Sequence, residues 1–303
     1  MILIADSGST KTAWKFIGSI KNTDENGVFY TSGINPFYQN SEEIVGALSL
    51  SPPKSPLKGG LDSSTDFFKS YYHTPLPCGE RLHIFFYGAG CHFPDKKEIV
   101  KSALQQIFPA AEIEINNDLL AACRALLGRE AGIACILGTG SNSCFYDGEK
   151  IVENVSPLGY ILGDEGSGAV LGKLLVADML KNQLPENLKN KFLMQYNTSL
   201  AEILDNVYKK PFPNRYLAEF AHFIGENQDE EVIYNIAYRS FRSFFERNAM
   251  QYDYRHYPIA LIGSIAFYFQ DILQKVAGDL GLNISKIEQS PMEGLCEFHF
   301  GVT

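Results

Sequence analysis

No two of the six cysteines form a C-x-x-C pair, and none stands at a spacing from histidine that suits a zinc site. Cys135 lies within the apolar run GIACIL, where a free thiol behaves as a small hydrophobic side chain. The pattern predicts buried thiols in a reducing compartment rather than a disulfide or zinc scaffold. The six cysteines are Cys78, Cys91, Cys123, Cys135, Cys144 and Cys296.

Positive charge is also scarce. The chain has 26 basic against 35 acidic residues, a formal net charge of −9. Nucleic-acid binding needs a basic face for the phosphates, so this balance argues against such a partner. No apolar run reaches the roughly 18 residues of a membrane span, and Asp6 interrupts the first apolar run too early for a signal peptide. We expect a cytoplasmic protein that binds neither nucleic acid nor membrane.

The chain is long and apolar enough for two domains. It has 303 residues, of which 45% are hydrophobic. Apolar strands alternate with helical patterns: AEIEIN is followed by a helix that Gly128 should end, and YPIALIGSIA supplies a final strand. This succession predicts an α/β architecture. Ser41 is the expected N-cap of an early helix, and the Pro-, Ser- and Gly-rich residues 51–80 are expected to form a surface insertion.

Two polar turns of similar design each connect two apolar strands. DSGSTKT lies near the N-terminus, and GTGSNS follows GIACIL more than a hundred residues later. Small residues let the backbone approach a ligand, and hydroxyl and N–H groups donate to phosphate oxygens. Neither the P-loop motif nor the G-x-G-x-x-G fingerprint is present, and each turn alone also fits an ordinary hairpin. Together they suggest two domains built alike.

A third segment, PLGYILGDEGSGAVLG, places five glycines around Asp164 and Glu165. Ser167 is expected to cap the helix that follows. Helix capping does not account for two adjacent carboxylates within a run of glycines. Such a loop suits ligand hydroxyls or a hydrated metal ion, because both require rigid acceptors.

The motifs DSGSTKTAW, GINPF, ILGTGSNS, GYILGDEGSG and ALIGSIA occur in this order along the chain. As an ordered set they resemble the N-acetylglucosamine kinase family of the BadF/BadG-type ATPases, in the actin–hexokinase–chaperone superfamily. The resemblance implies two ribonuclease-H-like lobes, each a mixed five-stranded sheet flanked by helices, with a ligand cleft between them. We expect lobes over 1–117 and 118–288, and a C-terminal segment, 289–303, that returns to the first lobe.

The same resemblance implies ATP, Mg²⁺ and an amino sugar as ligands. Asp6 would orient the magnesium ion through water, and Asp118 matches the general base. The implied ATP-binding residues are Gly8, Ser9, Thr10, Lys11 and Thr12 in the first turn, Gly138, Thr139 and Gly140 in the second, and Gly263 and Ser264 beside the adenosine. The implied sugar-binding residues are Asn35, Asn142, Gly159 and Asp164.

Several alternatives stay open. Asp118 precedes a helix and could simply be its N-cap, although Asn117 could cap the helix instead. A related activator ATPase would need cysteine ligands for a shared iron–sulfur cluster, and no convincing spacing exists. A non-catalytic sugar sensor is a third reading. The sequence does not distinguish N-acetylglucosamine, glucosamine and muramic-acid derivatives, and it leaves a homodimer open.

Overall fold

A computed structural model of the chain describes residues 1–8, 10–17, 27–50 and 81–301. Ser9 of the first polar turn and the expected insertion at 51–80 lie outside the described residues. The chain divides into two compact units, 1–125 with 291–303 and 126–290. No helix in the described part of the chain is long and apolar enough to cross a membrane.

The first unit is built on a mixed sheet whose strand order is β3-β2-β1-β4-β5. Strands β1 to β3 pair antiparallel, whereas β4 runs parallel to β1 and β5 parallel to β4. Trp14 is fully buried in this unit, and its indole N–H donates to Thr31 Oγ1 at 2.9 Å. The strands are β1 (Ile2–Ser7), β2 (Lys11–Ile17), β3 (Val28–Ser32), β4 (His83–Gly88) and β5 (Glu112–Asn117). The helices are α1 (Ser41–Leu50), α2 (Pro94–Ile107), α3 (Asp118–Leu127) and a C-terminal helix (Met292–Phe300).

The second unit repeats this topology. Its strand order is β10-β9-β6-β7-β8. β7 pairs antiparallel with both β6 and β8, whereas β9 runs parallel to β6 and β10 runs parallel to β9. The strands are β6 (Gly132–Leu137), β7 (Ser141–Tyr146), β8 (Ile151–Glu153), β9 (Ile259–Ile262) and β10 (Ile284–Glu288). The helices are α4 (Gly159–Leu162), α5 (Gly168–Leu180), α6 (Glu186–Gln195), α7 (Leu200–Tyr208), α8 (Pro213–Glu219), α9 (Ala221–Glu226), α10 (Glu231–Arg247), α11 (Ser264–Tyr268) and α12 (Gln270–Leu280), with a 3₁₀ turn at Ala249–Gln251. The predicted two-lobe α/β fold, with a mixed five-stranded sheet in each lobe, is confirmed.

Two local predictions were wrong. YPIALIGSIA does not supply the final strand, because β10 follows it at the edge of the second sheet. Ser41 is not the N-cap of α1: Asn40 Oδ1 accepts from the Glu43 N–H at 2.9 Å, and Glu43 Oε2 accepts from the Asn40 N–H at 2.8 Å. This reciprocal capping box places the N-cap at Asn40, one residue before the predicted cap. The Ser41 hydroxyl donates instead to Ile99 O at 3.1 Å.

Candidate active site

The first polar turn, between β1 and β2, is closed by a bond from the Gly8 N–H to Lys11 O at 3.0 Å. Thr12 is buried, and its hydroxyl oxygen lies 2.7 Å from Ser7 Oγ. The Ile34 N–H donates to that same Ser7 oxygen at 3.0 Å. These hydroxyls therefore fasten the turn to the chain that follows β3. Thr10 and Lys11, by contrast, are exposed at the turn.

Parallel strand register places the ends of three strands along one edge of the first sheet. Ser7 pairs with Gly88, and Gly88 pairs with Asn117. The carboxyl ends of β1, β4 and β5 therefore lie side by side, as in other α/β ligand sites. Asp6 and Asp118 are brought to this edge although they are more than a hundred residues apart in sequence.

At this edge the Asp118 carboxyl group acts electrostatically on that of Asp6. Burial raises the pKa of Asp6 to about 7, with a further upward contribution from Asp118 and an opposing one from Lys11. Burial also raises the pKa of Asp118, against backbone N–H groups at the start of α3 and the charge of His92. A proton or a cation between such groups relieves their repulsion.

Helix α3 has its own cap. The Leu120 N–H donates to Asn117 Oδ1 at 2.8 Å, so Asn117 satisfies one of the free donors at the helix start. Asn117 therefore holds the capping position of α3, and the Asp118 carboxylate also accepts from backbone N–H groups at the helix start.

Asn35 lies against the turn that follows β4. Its Oδ1 accepts from the Phe37 N–H at 3.0 Å, and its own N–H donates to Gln39 Oε1 at 2.8 Å. A β-carbon at Gly90 would come within 2.7 Å of Asn35 Oδ1, and Gly90 has a φ of +84°. Glycine at this position is therefore needed both for the turn and for the approach of the Asn35 amide.

In the second unit, the turn between β6 and β7 rests on the start of α5. The Gly138 N–H donates to Gly140 O at 2.9 Å. Gly138 O and Thr139 O accept from the N–H groups of Gly168 and Ala169 at 2.8 and 3.1 Å. Ser167 caps α5 as predicted, accepting from the Val170 N–H at 3.2 Å.

Asp164 joins the glycine-rich loop to this turn. Its Oδ2 would lie 3.0 Å from a β-carbon at Gly140, so a side chain there would crowd the carboxylate. Burial raises the pKa of Asp164 to about 6; Glu165 adds to the rise, whereas the Ser141 N–H and Lys173 lower it. The carboxyl group is therefore largely ionised at neutral pH and fixed in place.

Glu165 has a different role from its neighbour. Its Oε1 accepts from Arg247 Nε at 2.7 Å, and its Oε2 accepts from Asn248 Nδ2 at 3.3 Å. The second carboxylate of the loop thus anchors the end of α10. No pattern in the sequence predicts the pairing of Glu165 with Arg247.

The remaining predicted residues of the second unit are placed individually. Asn142 Oδ1 accepts from the Ser143 N–H at 2.9 Å and from Asn154 Nδ2 at 3.0 Å, which orients the amide. Gly159 begins α4 with φ +73° and open space around it. Gly263 has φ +118°, and a β-carbon there would lie 2.3 Å from Leu137 O, while Ser264 opens α11.

The residues that the sequence did not single out are His92, Asn154, Lys173 and Arg247. Asn154, Lys173 and Arg247 each form a bond with another segment. His92 acts on Asp118 through its charge. Each would pass for an ordinary solvated side chain in its local context. Among the described residues, no group of three His, Cys, Asp or Glu side chains could hold a metal ion. The carboxylate of Asp6 does suit a hydrated Mg²⁺, which commonly takes one or two carboxylates and keeps several waters.

The chain is similar to solved structures of known proteins. It is 45% identical to a solved structure described as a candidate N-acetylglucosamine kinase from Porphyromonas gingivalis, with 99% of this chain and 98% of that one covered and a TM-score of 0.86. A similarly described structure from Chromobacterium violaceum is 14% identical, with 98% of both chains covered and a TM-score of 0.68, which shows a shared fold. No protein-family model matches the sequence.

Among curated proteins, the chain matches glucosamine kinase GspK of Vibrio cholerae at 35% identity over 89 residues. The match spans 29% of this chain and 30% of that protein's length.

Proposed function

The chain belongs to the N-acetylglucosamine kinase family of the BadF/BadG-type ATPases, and on this premise we propose that it transfers the γ-phosphoryl group of ATP to an amino sugar. N-acetylglucosamine is the first candidate acceptor, with its 6-phosphate as product. The observation that supports the proposal is the pair of carboxyl groups at the ends of β1 and β5: Asn117 caps α3, and the Asp118 carboxylate lies close enough to Asp6 to raise its pKa.

Asp118 would act as the general base. Its carboxylate would accept the proton of the sugar hydroxyl while the hydroxyl oxygen forms a bond to the γ-phosphorus and the bond to the ADP oxygen breaks. Burial raises the pKa of Asp118 above the usual range of an aspartate. A base with a raised pKa accepts a proton more readily, provided that it is ionised at the working pH.

Phosphate binding would fall to the two polar turns. In the first turn, Lys11 supplies a positive charge and Gly8 permits close approach of the backbone. In the second, the small residues Gly138 to Gly140 would likewise permit close approach. Asp6 would hold Mg²⁺ through water. When bound, this ion neutralises charge on the β- and γ-phosphates.

The proposed sugar-binding residues are Asn35, Asn142, Gly159 and Asp164. The amide of Asn142 is oriented by Asn154 and the Ser143 N–H, and the carboxylate of Asp164 is held by the Ser141 N–H. Fixed amide and carboxylate groups give sugar hydroxyls acceptors whose positions do not change on binding.

The direct test is an ADP-release assay with ATP and Mg²⁺ across N-acetylglucosamine, glucosamine and N-acetylmuramic acid, with the product identified by mass spectrometry. We expect a sugar phosphate from at least one of them and strong stimulation over hydrolysis without sugar. Failure of every amino sugar to stimulate ADP release or to yield a phosphate would refute the kinase assignment. Iron content of anaerobically purified protein tests the activator-ATPase alternative in the same preparation.

A further inference from the structure

The glycine-rich loop has a strained backbone. We call residues 157–164 the sugar loop, and its ends are closed by a bond from the Asp164 N–H to Pro157 O at 2.8 Å. Leu158 and Asp164 both lie in the left-handed region, with φ of 61° and 52°. Non-glycine residues keep such a conformation only when surrounding contacts enforce it. The loop therefore depends on support from the rest of the unit.

Little of that support can come from the loop's own apolar side chains. Leu158, Ile161 and Leu162 are 59%, 72% and 70% exposed. The helix α4 that carries two of them has only four residues, too few to be stable alone. Tyr160 is the exception, since its side chain packs against the core of the second unit.

Lys173 of α5 supplies a polar anchor at this same residue. Its ammonium group donates to Tyr160 O at 2.5 Å, a carbonyl in the middle of α4. Lys173 is itself only partly exposed. Partial burial of an ammonium group costs free energy unless the group is hydrogen-bonded. The bond to Tyr160 O therefore favours one position of the Lys173 side chain.

The charge of Lys173 also reaches Asp164. It lowers the pKa of that carboxyl group, against the upward effects of burial and of Glu165. The other groups around Asp164 are the Ser141 N–H, which also lowers its pKa, and Gly140, which is neutral. Glu165 itself is paired with Arg247 at 2.7 Å. Lys173 is thus the cation that acts on Asp164 from outside the loop.

We propose that Lys173 is a positioning residue for sugar recognition: it fixes the sugar loop to α5 through Tyr160 O and sets a positive charge beside Asp164. Lys173 thereby links the conformation of the sugar loop to the protonation of Asp164. The role in sugar binding rests on the proposed function, whereas the effects on the loop and on Asp164 do not.

The first test uses the ligand-free protein and three variants. Lys173→Met removes the charge and the donor, Lys173→Arg keeps both, and Lys181→Met is the matched control, a lysine of the same region at the exposed end of α5. We expect Lys173→Met to raise the pKa of Asp164, followed by carboxyl NMR. Hydrogen exchange at the Gly163 and Asp164 amides should become at least about tenfold faster as the loop loosens. Lys173→Arg and Lys181→Met should match the wild type.

The second test is calorimetric titration of N-acetylglucosamine between pH 5 and 8. Wild-type affinity should fall below about pH 6, where Asp164 takes up its proton. In Lys173→Met this loss should begin at higher pH, with affinity at pH 7 reduced at least about fivefold.

Unchanged Asp164 titration in Lys173→Met would overturn the proposal, even if its melting temperature fell, because that result would indicate a purely structural lysine. Equal sugar affinities and pH profiles in wild type and Lys173→Met would also overturn it. A wild-type protein that binds and phosphorylates no amino sugar would count against the proposed function instead, and the ligand-free measurements would still decide the role of Lys173.

Discussion

The side-chain oxygen of Asn117 accepts a hydrogen bond from the backbone N–H of Leu120 at 2.8 Å. Asn117, rather than its neighbour Asp118, therefore occupies the capping position of α3. Asn117 stabilises α3, whereas Asp118 is the residue proposed to act as general base. Substitutions at the two positions should therefore have different consequences.

Asp118→Asn should give a folded protein that still binds ATP and sugar but turns over at least about 100-fold more slowly. Asparagine keeps the size and hydrogen-bonding reach of the side chain yet cannot accept the substrate proton. The measurements are kcat, the dissociation constants of both ligands and a thermal melt. Asn117→Ala is the matched control, with about 1 kcal/mol less stability from the lost cap and a smaller effect on kcat. Wild-type kcat in Asp118→Asn would rule out a general base at this position.

Asp6 should make stability depend on pH in the absence of ligands. Its pKa is about 7 in the folded protein against 3.8 for the free side chain. Between these values the folded state binds more protons than the unfolded state, so the free energy of unfolding falls as pH rises from about 4 to about 7. Asp6→Asn removes this dependence because asparagine stays neutral. The variant should be more stable than wild type at pH 8, by urea titration, with a smaller difference at pH 5.

Magnesium supplies a second measurement on the same pair. Adding MgCl₂ at pH 8 should raise the melting temperature of the wild type by offsetting the carboxylate charge, and it should have little effect on Asp6→Asn. The exposed Asp229→Asn serves as the control and should follow the wild type throughout. A stability–pH profile in Asp6→Asn that parallels the wild type would show that the Asp6 carboxyl group does not titrate as its surroundings imply.

Much of the fold was predictable because its central elements have strong local patterns. The two hairpins combine apolar strands with polar turns, and both form with antiparallel register. The edge strand β10 was missed: ISKIE carries Lys286 and Glu288, and its pairing depends on β9, more than twenty residues earlier. Edge strands are half-exposed and carry charged residues, so β10 lacks the continuous apolar run that marks a central parallel strand.

The candidate site was predictable to a different degree. The ordered motifs contain Asp6 and Asp164, and the resemblance that they carry implied Asp118, but no local pattern carries the electrostatic state of these groups. Asp6 titrates near neutrality partly because of Asp118, which only the sheet topology brings near it. Lys173 would be taken for a solvated helix residue, and its contact with Tyr160 O is a property of the folded loop. Tertiary placement, not composition, decides such roles.

Gly263 should be required for folding of the second unit even without nucleotide. A β-carbon there would lie 2.3 Å from Leu137 O, a backbone atom of the adjacent strand, and the φ of +118° is unsuited to other residues. Gly263→Ala should lower the free energy of unfolding by more than about 2 kcal/mol, measured by urea titration. Gly278→Ala, in α12 with open space around it, should instead be neutral or stabilising by up to about 1 kcal/mol. Equal stability of the two variants would contradict the close approach.

The C-terminal helix should depend on the hydroxyl of Tyr87 for its attachment to the first unit. This hydroxyl lies 2.7 Å from His299 Nε2, accepts from Arg124 Nη1 at 2.6 Å, and connects the helix to β4 and α3. Arg124 Nε is already a buried donor without a hydrogen-bond partner, so the loss of another bond from this guanidinium would add to an existing free-energy cost. Tyr87→Phe keeps the ring but removes the hydroxyl from two partly buried polar groups, at an expected cost of about 1–3 kcal/mol. Urea titration should show this loss, and hydrogen exchange should rise first at 292–300.

Tyr208→Phe, at a largely exposed tyrosine, is the control and should leave both measurements unchanged. If Tyr87→Phe matches that control, the hydroxyl does not hold the helix and the stacking of His299 on Phe85, with ring centres 3.8 Å apart, is sufficient.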